Sequence, residues 1–136
     1  RQRGLLTVTG GGIVEFSGGG DAGSSDVTNH VTGKKGFCVE WGSSLRFSGG
    51  KYSMHADTRL SGEGTIDVTG GAHRLASDVG PRLVIGGGTV EGTAGDMVLR
   101  RGLHLHGTGL LSYTISRSVI TVHENMTMSG GALEFV

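Results

Sequence analysis

The residues best suited to chemistry are four aspartates. Asp57 and Asp78 lie 21 positions apart, with Asp67 and Asp96 close to them in the sequence. In a coil of similar length the carboxylates of Asp57 and Asp78 would stack on one face, where such groups hold calcium or act as acid and base on polysaccharides. All four also lie next to turns or on outward strand positions, and no Arg, Lys or His accompanies them at a recognisable catalytic spacing. We therefore predict no catalytic residue and no enzyme, and keep carbohydrate binding or cleavage as the alternative.

Two histidines alternate with leucines. In Leu103-His104-Leu105-His106 a strand would direct the leucines inward and both imidazoles to the same outer face. Two histidines on one face could bind a metal, and His123 could supply a third ligand if it falls on the next coil. No cysteine or clear carboxylate completes a set of four ligands. The prediction is therefore exposed histidines with no metal and no cofactor.

Two further positions are candidates for covalent modification. The tripeptide that begins at Asn125 is an N-glycosylation sequon, which matters only in a eukaryotic secretory pathway. Cys38 is the single cysteine, so it cannot form an internal disulfide. Because it stands between Phe37 and Val39, we predict a small, inert core residue, with an intermolecular disulfide as the alternative.

The composition describes one glycine-rich segment. The 136 residues include 28 glycines and one proline, and 35% are hydrophobic. The glycines follow no every-third-residue period, which excludes collagen, and the apolar residues stand in short runs, which argues against disorder. Twelve basic residues balance twelve acidic ones, so we predict no nucleic-acid partner. No apolar run is long enough to span a membrane, and we interpret residues 1–136 as a single piece of a larger protein.

Short apolar runs of period two recur between glycine turns and predict strands of three to five residues. The predicted strands are Leu5–Val8, Ile13–Phe16, Phe37–Trp41, Leu45–Phe47, Thr65–Val68, Leu83–Ile85, Met97–Leu99, Leu103–Leu105, Val119–Val122 and Ala132–Val136.

The spacing of the glycine turns predicts a solenoid. The doublets at Gly49 and Gly70 are 21 positions apart and the clusters at Gly86 and Gly130 are 44 apart, which fits coils of about 22 residues. We predict an all-β fold, a parallel, right-handed β-helix of about six coils, with a loop leaving the stack between Gly18 and Gly36. A β-sandwich is the alternative, although strands this short and the lack of Asn-Gly or Asp-Gly hairpin turns weigh against it.

Several phrases resemble those of known surface proteins. The stretch Leu60–Gly71, and more loosely Leu105–Leu111, resembles a Gly-x-Gly-Thr-apolar-x-apolar-x-Gly-Gly phrase of β-helical proteins such as autotransporter passengers and algal or protist cell-surface repeats. Gly11–Phe16 and Met128–Phe135 are similar to the Gly-Gly-Ala-Ile repeat of polymorphic outer-membrane proteins. The resemblance implies a β-helix and an extracellular or cell-surface location.

A solenoid with a freely variable outer surface is suited to structural work. We expect an extracellular structural or adhesive segment that acts as a rod, a stalk or a filament-forming scaffold. Leu133 to Val136 offer no polar cap, so the expected partners are further β-helical coils of the same parent protein or copies of the chain. Surface glycans are candidate ligands, for which Trp41, Tyr52 and Tyr113 supply the aromatic rings.

Overall fold

The chain forms a parallel β-solenoid. The computed structural model describes residues 5–22, 36–54, 58–75, 78–92, 96–113 and 119–135. Eighteen strands in these ranges form three six-stranded sheets, and every strand pair is parallel. A β-sandwich requires antiparallel pairs, so that alternative is wrong and the predicted parallel solenoid is confirmed.

Each sheet takes every third strand of the chain. Sheet 1 contains β1 (Leu5–Val8), β4 (Gly36–Val39), β7 (Arg59–Ser61), β10 (Asp78–Val79), β13 (Met97–Leu99) and β16 (Ile120–Val122). Sheet 2 contains β2 (Ile13–Phe16), β5 (Ser44–Phe47), β8 (Thr65–Val68), β11 (Arg82–Ile85), β14 (Leu103–Leu105) and β17 (Met126–Met128). Sheet 3 contains β3 (Gly20–Ala22), β6 (Lys51–Met54), β9 (Ala72–Arg74), β12 (Thr89–Glu91), β15 (Leu110–Tyr113) and β18 (Ala132–Phe135).

One strand from each sheet makes one coil, so β1 to β3 form coil 1 and β16 to β18 form coil 6. We call the turn between the sheet 1 and sheet 2 strands the first corner, and the turn between the sheet 2 and sheet 3 strands the second corner. The loop predicted between Gly18 and Gly36 falls largely on residues 23–35, which lie outside the described residues.

Alternation along the strands places the core. In sheet 2 the inward side chains of successive coils align, and Leu45, Ile66 and Leu83 are fully buried one above another. The intervening side chains point outward, which is the period-two pattern that the sequence shows. Truncating a buried aliphatic residue in such a stack costs about 2–5 kcal/mol, so these ladders carry much of the stability.

Aromatic rings fill the core of coils 1 and 2. Phe16, Phe37, Phe47 and Tyr52 are in mutual contact, with ring centroids between 5.2 and 6.5 Å apart. Edge-to-face and tilted pairs of this kind add to the hydrophobic gain of burial. The remaining coils are filled mainly by leucine, valine and isoleucine.

The second corner requires glycine because the coils lie so close together there. A Cβ added at Gly70 would lie 2.5 Å from the carbonyl oxygen of Ser48 in the coil before it. Gly88 combines a φ of 70° with the same crowding, against the backbone of Gly71. A glycine at these positions therefore allows both the turn and the approach of the next coil.

All ten predicted strands exist, with small shifts at their ends. The strand predicted over Phe37–Trp41 stops at Val39, because Trp41 lies in the first corner of coil 2. The strand predicted from Val119 begins at Ile120. Eight further strands were not predicted, and five of them belong to sheet 3.

Candidate functional site

Three of the four candidate aspartates, Asp67, Asp78 and Asp96, are engaged in structural contacts. Arg100 donates two hydrogen bonds to Asp78, at 2.6 and 2.8 Å, and this hydrogen bonding, followed by charge attraction, raises the pKa of Arg100. Asp67 accepts a hydrogen bond of 3.1 Å from Nε of Arg46. Asp96 accepts one of 2.8 Å from the backbone N–H of Val119.

Asp67 lies on a different sheet from the other two. Asp78 belongs to β10 in sheet 1 and Asp96 immediately precedes β13 of the same sheet, whereas Asp67 belongs to β8 in sheet 2. Asp57, the proposed partner of Asp78, lies outside the described residues. Asp67 and Asp78 therefore form ion pairs that link neighbouring coils, which is a structural role and not a catalytic one.

The two alternating histidines do share an outer face, as predicted. Leu103 and Leu105 are buried, and the rings of His104 and His106 stack with centroids 5.2 Å apart. Nδ1 of His104 lies 2.5 Å from the hydroxyl oxygen of Thr127 in coil 6. The pair therefore forms a small polar surface, which we call the histidine surface, at the last two coils.

The third ligand considered for a metal is on a different sheet. His123 is on the next coil, as the sequence allowed, but it follows β16 of sheet 1, whereas His104 is in β14 of sheet 2. Among the described residues no group of three His, Cys, Asp or Glu side chains is arranged to hold a metal ion. The histidine surface therefore offers two imidazole rings, and among the described residues no third His, Cys, Asp or Glu side chain joins them to hold a metal ion.

Cys38 faces outward. Phe37 and Val39 on either side of it are fully buried, and alternation places Cys38 on the other face, half-buried between Thr7 and Ser61. The prediction of a small core residue is wrong because the period of the strand, and not the apolar character of its neighbours, decides the side. An intermolecular disulfide stays a prediction.

The aromatic residues available to a sugar are fewer than the sequence indicated. Tyr52 and Tyr113 are 3% and 2% exposed, so both belong to the core. Trp41 is 80% exposed at the first corner of coil 2 and remains a candidate for stacking on a ring. Asn125, the sequon residue, is exposed at the first corner of coil 6.

His73 is a buried histidine that the sequence reasoning missed. It is 1% exposed, its Nε2 lies 2.6 Å from the carbonyl oxygen of Gly70, and its ring lies 5.2 Å from that of Phe47. A carbonyl oxygen can only accept, so Nε2 carries the proton and donates. Nδ1 of His73 is buried without a hydrogen-bond partner. The signal was its position two residues after a glycine doublet, which is also the position of Tyr52 in the preceding coil.

Apart from Trp41, the exposed large apolar side chains of the described residues all lie in the two end coils. In coil 6, Met128 is 52% exposed and Phe135 is 62% exposed. The residues paired with them in coil 5, Leu105 and Tyr113, are 0% and 2% exposed. These two inward positions are thus buried in coil 5, which coil 6 covers, and exposed in coil 6, which no described coil covers.

Coil 1 is open in part. Of its inward residues Val8 is buried, whereas Leu6, Val14 and Phe16 are only partly buried and pack against the core. The inward residues of coil 2 that pair with them, Phe37, Leu45 and Phe47, are fully buried. Among the described strands, each end therefore presents three edges without a paired strand, together with apolar side chains, and the two ends together are the candidate functional site.

No protein-family model, curated protein or solved structure matches this chain. The described residues contain no helix that is both long and apolar enough to cross a membrane.

Proposed function

We propose that this chain is an extracellular structural or adhesive segment, a rod or stalk whose coils continue beyond its own two ends. The observation that carries the proposal is the exposure of inward apolar residues at coil 6, chiefly Met128 and Phe135, at positions that are buried in coil 5. Apolar patches of this kind, bordered by open strand edges, are surfaces for association. Covering them by further coils removes both the apolar area and the unpaired backbone groups from water.

The lateral surface supports the same role. Its charged residues form ion pairs between coils, such as Arg46 with Asp67 and Arg74 with Glu91, and so follow the long axis of the stack. Exposed pairs of this kind contribute little stability and leave the outer face free to vary. A scaffold needs this combination of a fixed core and a variable exterior.

The test is to locate the native protein and to view it. Antibodies against this chain should label intact cells without permeabilisation, and electron microscopy of the released parent protein should show stalks or fibres marked by the antibody. Antibodies adsorbed with the purified chain serve as the control. Labelling that requires permeabilisation, or compact globular particles, would contradict the proposal.

Carbohydrate binding is the second candidate, because Trp41 is 80% exposed on an otherwise polar corner. A glycan array probed with the wild-type chain and with Trp41→Ala tests it. Loss of glycan binding in Trp41→Ala would favour this function, whereas equal signals from both proteins would show that Trp41 does not bind the glycan. The matched control is Tyr113→Phe, which changes a buried ring and leaves the corner intact.

A further inference from the structure

Gly18, at the second corner of coil 1, has no described neighbour that requires a glycine. An added Cβ there would meet no described atom within 4 Å, and its φ is outside the left-handed region. At the corresponding positions of coils 2 and 3, a Cβ on Gly49 would lie 2.9 Å from the oxygen of Ser17, and one on Gly70 would lie 2.5 Å from the oxygen of Ser48. The glycine is therefore needed wherever a preceding coil places a carbonyl against it.

Coil 6 offers that carbonyl. Its second corner is Ser129-Gly130-Gly131, the same triplet as Ser17-Gly18-Gly19 in coil 1. Inside the chain the residue before the glycine doublet supplies the oxygen, as Ser17 does to Gly49. Ser129 of a second copy would supply it to Gly18.

At the second corner, the hydrogen bonds between coils leave a donor at one end of the stack and an acceptor at the other. Five successive bonds run from an N–H of one coil to a C=O of the coil before it, at 2.8–3.1 Å. The donor and acceptor pairs are Ser48 and Phe16, Thr69 and Phe47, Gly86 and Val68, His106 and Ile85, and Ser129 and Leu105. Coil 1 thus presents the N–H of Ser17 and coil 6 presents the C=O of Met128, so a head-to-tail contact pairs a donor with an acceptor.

The apolar faces match in the same register. Continuing the sheet 2 ladder from coil 6 to coil 1 of a second chain places Met126 on Val14 and Met128 on Phe16. Met126 and Met128 are 41% and 52% exposed, and Val14 and Phe16 are partly buried. Methionine packs well against an aromatic ring, so this register covers both faces with compatible groups.

We propose that coil 6 of one chain stacks on coil 1 of a second copy, head to tail, in the register that joins successive coils within the chain. The inference rests on the proposed function, since it names the partner that covers the open ends. A head-to-tail contact between different surfaces does not close on itself in a straight stack, so the product is a filament.

Two variants block one end each. Gly18→Val places a side chain where the Ser129 carbonyl of the second copy would lie, and Met128→Lys places a charge on the coil 6 face. Ser17→Val is the control for Gly18→Val, because Thr69 shows that a β-branched residue fits that outward position within the stack. Circular dichroism and the thermal midpoint establish that each variant is folded. If Gly18→Val does not fold, Gly18→Ala takes its place.

Sedimentation velocity over a range of concentrations gives the readout. We expect the wild type and Ser17→Val to form species that grow with concentration, and Gly18→Val and Met128→Lys each to remain monomeric. An equimolar mixture of Gly18→Val and Met128→Lys retains one intact end of each kind. It should form a one-to-one dimer and nothing larger.

The outcomes that overturn head-to-tail stacking differ from those that contradict the proposed rod or stalk function. A wild-type chain that stays monomeric at every concentration shows that copies do not stack, and leaves the parent stalk to be judged on native material. Gly18→Val that assembles like the wild type overturns the register. Met128→Lys that dimerises alone shows coil 1 ends meeting each other, which overturns the head-to-tail polarity.

Discussion

The imidazole of His73 occupies a core position that coils 4 and 5 fill with Val90 and Leu111. Its ring packs on Phe47, and its Nε2–H donates to the carbonyl oxygen of Gly70 in the adjacent corner. The unpaired Nδ1 is the unfavourable part of this arrangement, because a buried acceptor without a donor has lost its hydration. The side chain therefore acts as an aromatic core residue whose hydrogen bond to Gly70 also stabilises the second corner of its own coil.

This role separates two substitutions of His73. His73→Ala removes the ring and leaves a cavity, so we expect a loss of about 3 kcal/mol in the free energy of unfolding. His73→Phe keeps the ring, removes the unpaired nitrogen and loses one hydrogen bond, so it should stay within about 1 kcal/mol of the wild type. Urea unfolding followed by circular dichroism measures both. Equal losses in the two variants would show that the hydrogen bond, and not the ring, is what matters.

Single residues were the hardest feature to predict from the sequence. His104 and His106 were placed correctly because two leucines fix the strand period around them. Cys38 was misplaced because its apolar neighbours suggested burial, although the same period sends it outward. Tyr52 stands beside a lysine and a serine, and only the alignment with other coils shows that it faces the core.

At the scale of the elements, the corners determine how closely the coils stack. The first corner varies in length and carries charged or aromatic residues, among them Glu40, Trp41 and Arg101. The second corner is almost uniform and rich in glycine, because its backbone lies against the preceding coil. Contact between coils, and not only the turn conformation, therefore selects glycine there.

Two glycines with similar backbone angles test this explanation. Gly10 and Gly88 have φ values of 65° and 70°, but a Cβ on Gly10 meets no described atom within 4 Å, whereas one on Gly88 collides with the Gly71 backbone. Gly10→Ala should cost about 1–2 kcal/mol, the ordinary cost of the left-handed conformation. Gly88→Ala should cost clearly more, because the backbone of a neighbouring coil must move.

Thermal unfolding of the two alanine variants beside the wild type measures the difference. The Gly88→Ala midpoint should lie well below that of Gly10→Ala. If the midpoints coincide, backbone conformation alone explains the glycines of the second corner, and crowding between coils does not.

Each strand that the sequence predicted has two inward side chains, whereas several of the strands that it missed have only one. Strands such as Leu103–Leu105 place an apolar residue at each inward position, which is a detectable period. In sheet 3, Thr89–Glu91 has a single inward residue, Val90, and Ala72–Arg74 has His73 there. One inward side chain gives no period, so these strands are recognised only through their pairing with other coils.

At the scale of the whole molecule, stability is expected to vary along the axis. β11 has a partner on both sides, β8 and β14, whereas β17 pairs with β14 alone among the described strands. In a solenoid each coil is stabilised mainly by its neighbours, so an end coil has about half the interface of an inner one. The end coils should therefore open before the middle.

Hydrogen exchange of the dilute monomeric chain tests this gradient. We expect amides of β17 to exchange much faster than amides of β11, which open only in larger unfolding events. Exchange of β8, another inner strand, serves as the comparison and should resemble that of β11. Equal protection from coil 1 to coil 6 would instead indicate a single cooperative unit.

The pairing pattern also bears on how such a chain changes over time. Backbone pairing joins each strand only to its counterparts in the coil before and the coil after, so the pairing pattern does not fix the number of coils. Duplicating the codons for residues 78–97, the 20 residues that separate Asp78 from its register partner Val98, would insert one more layer between existing neighbours and lengthen the stack by about 4.8 Å. Recombination between repeats can thus alter the reach of the protein in fixed steps, while each new contact is of a kind that the gene already encodes.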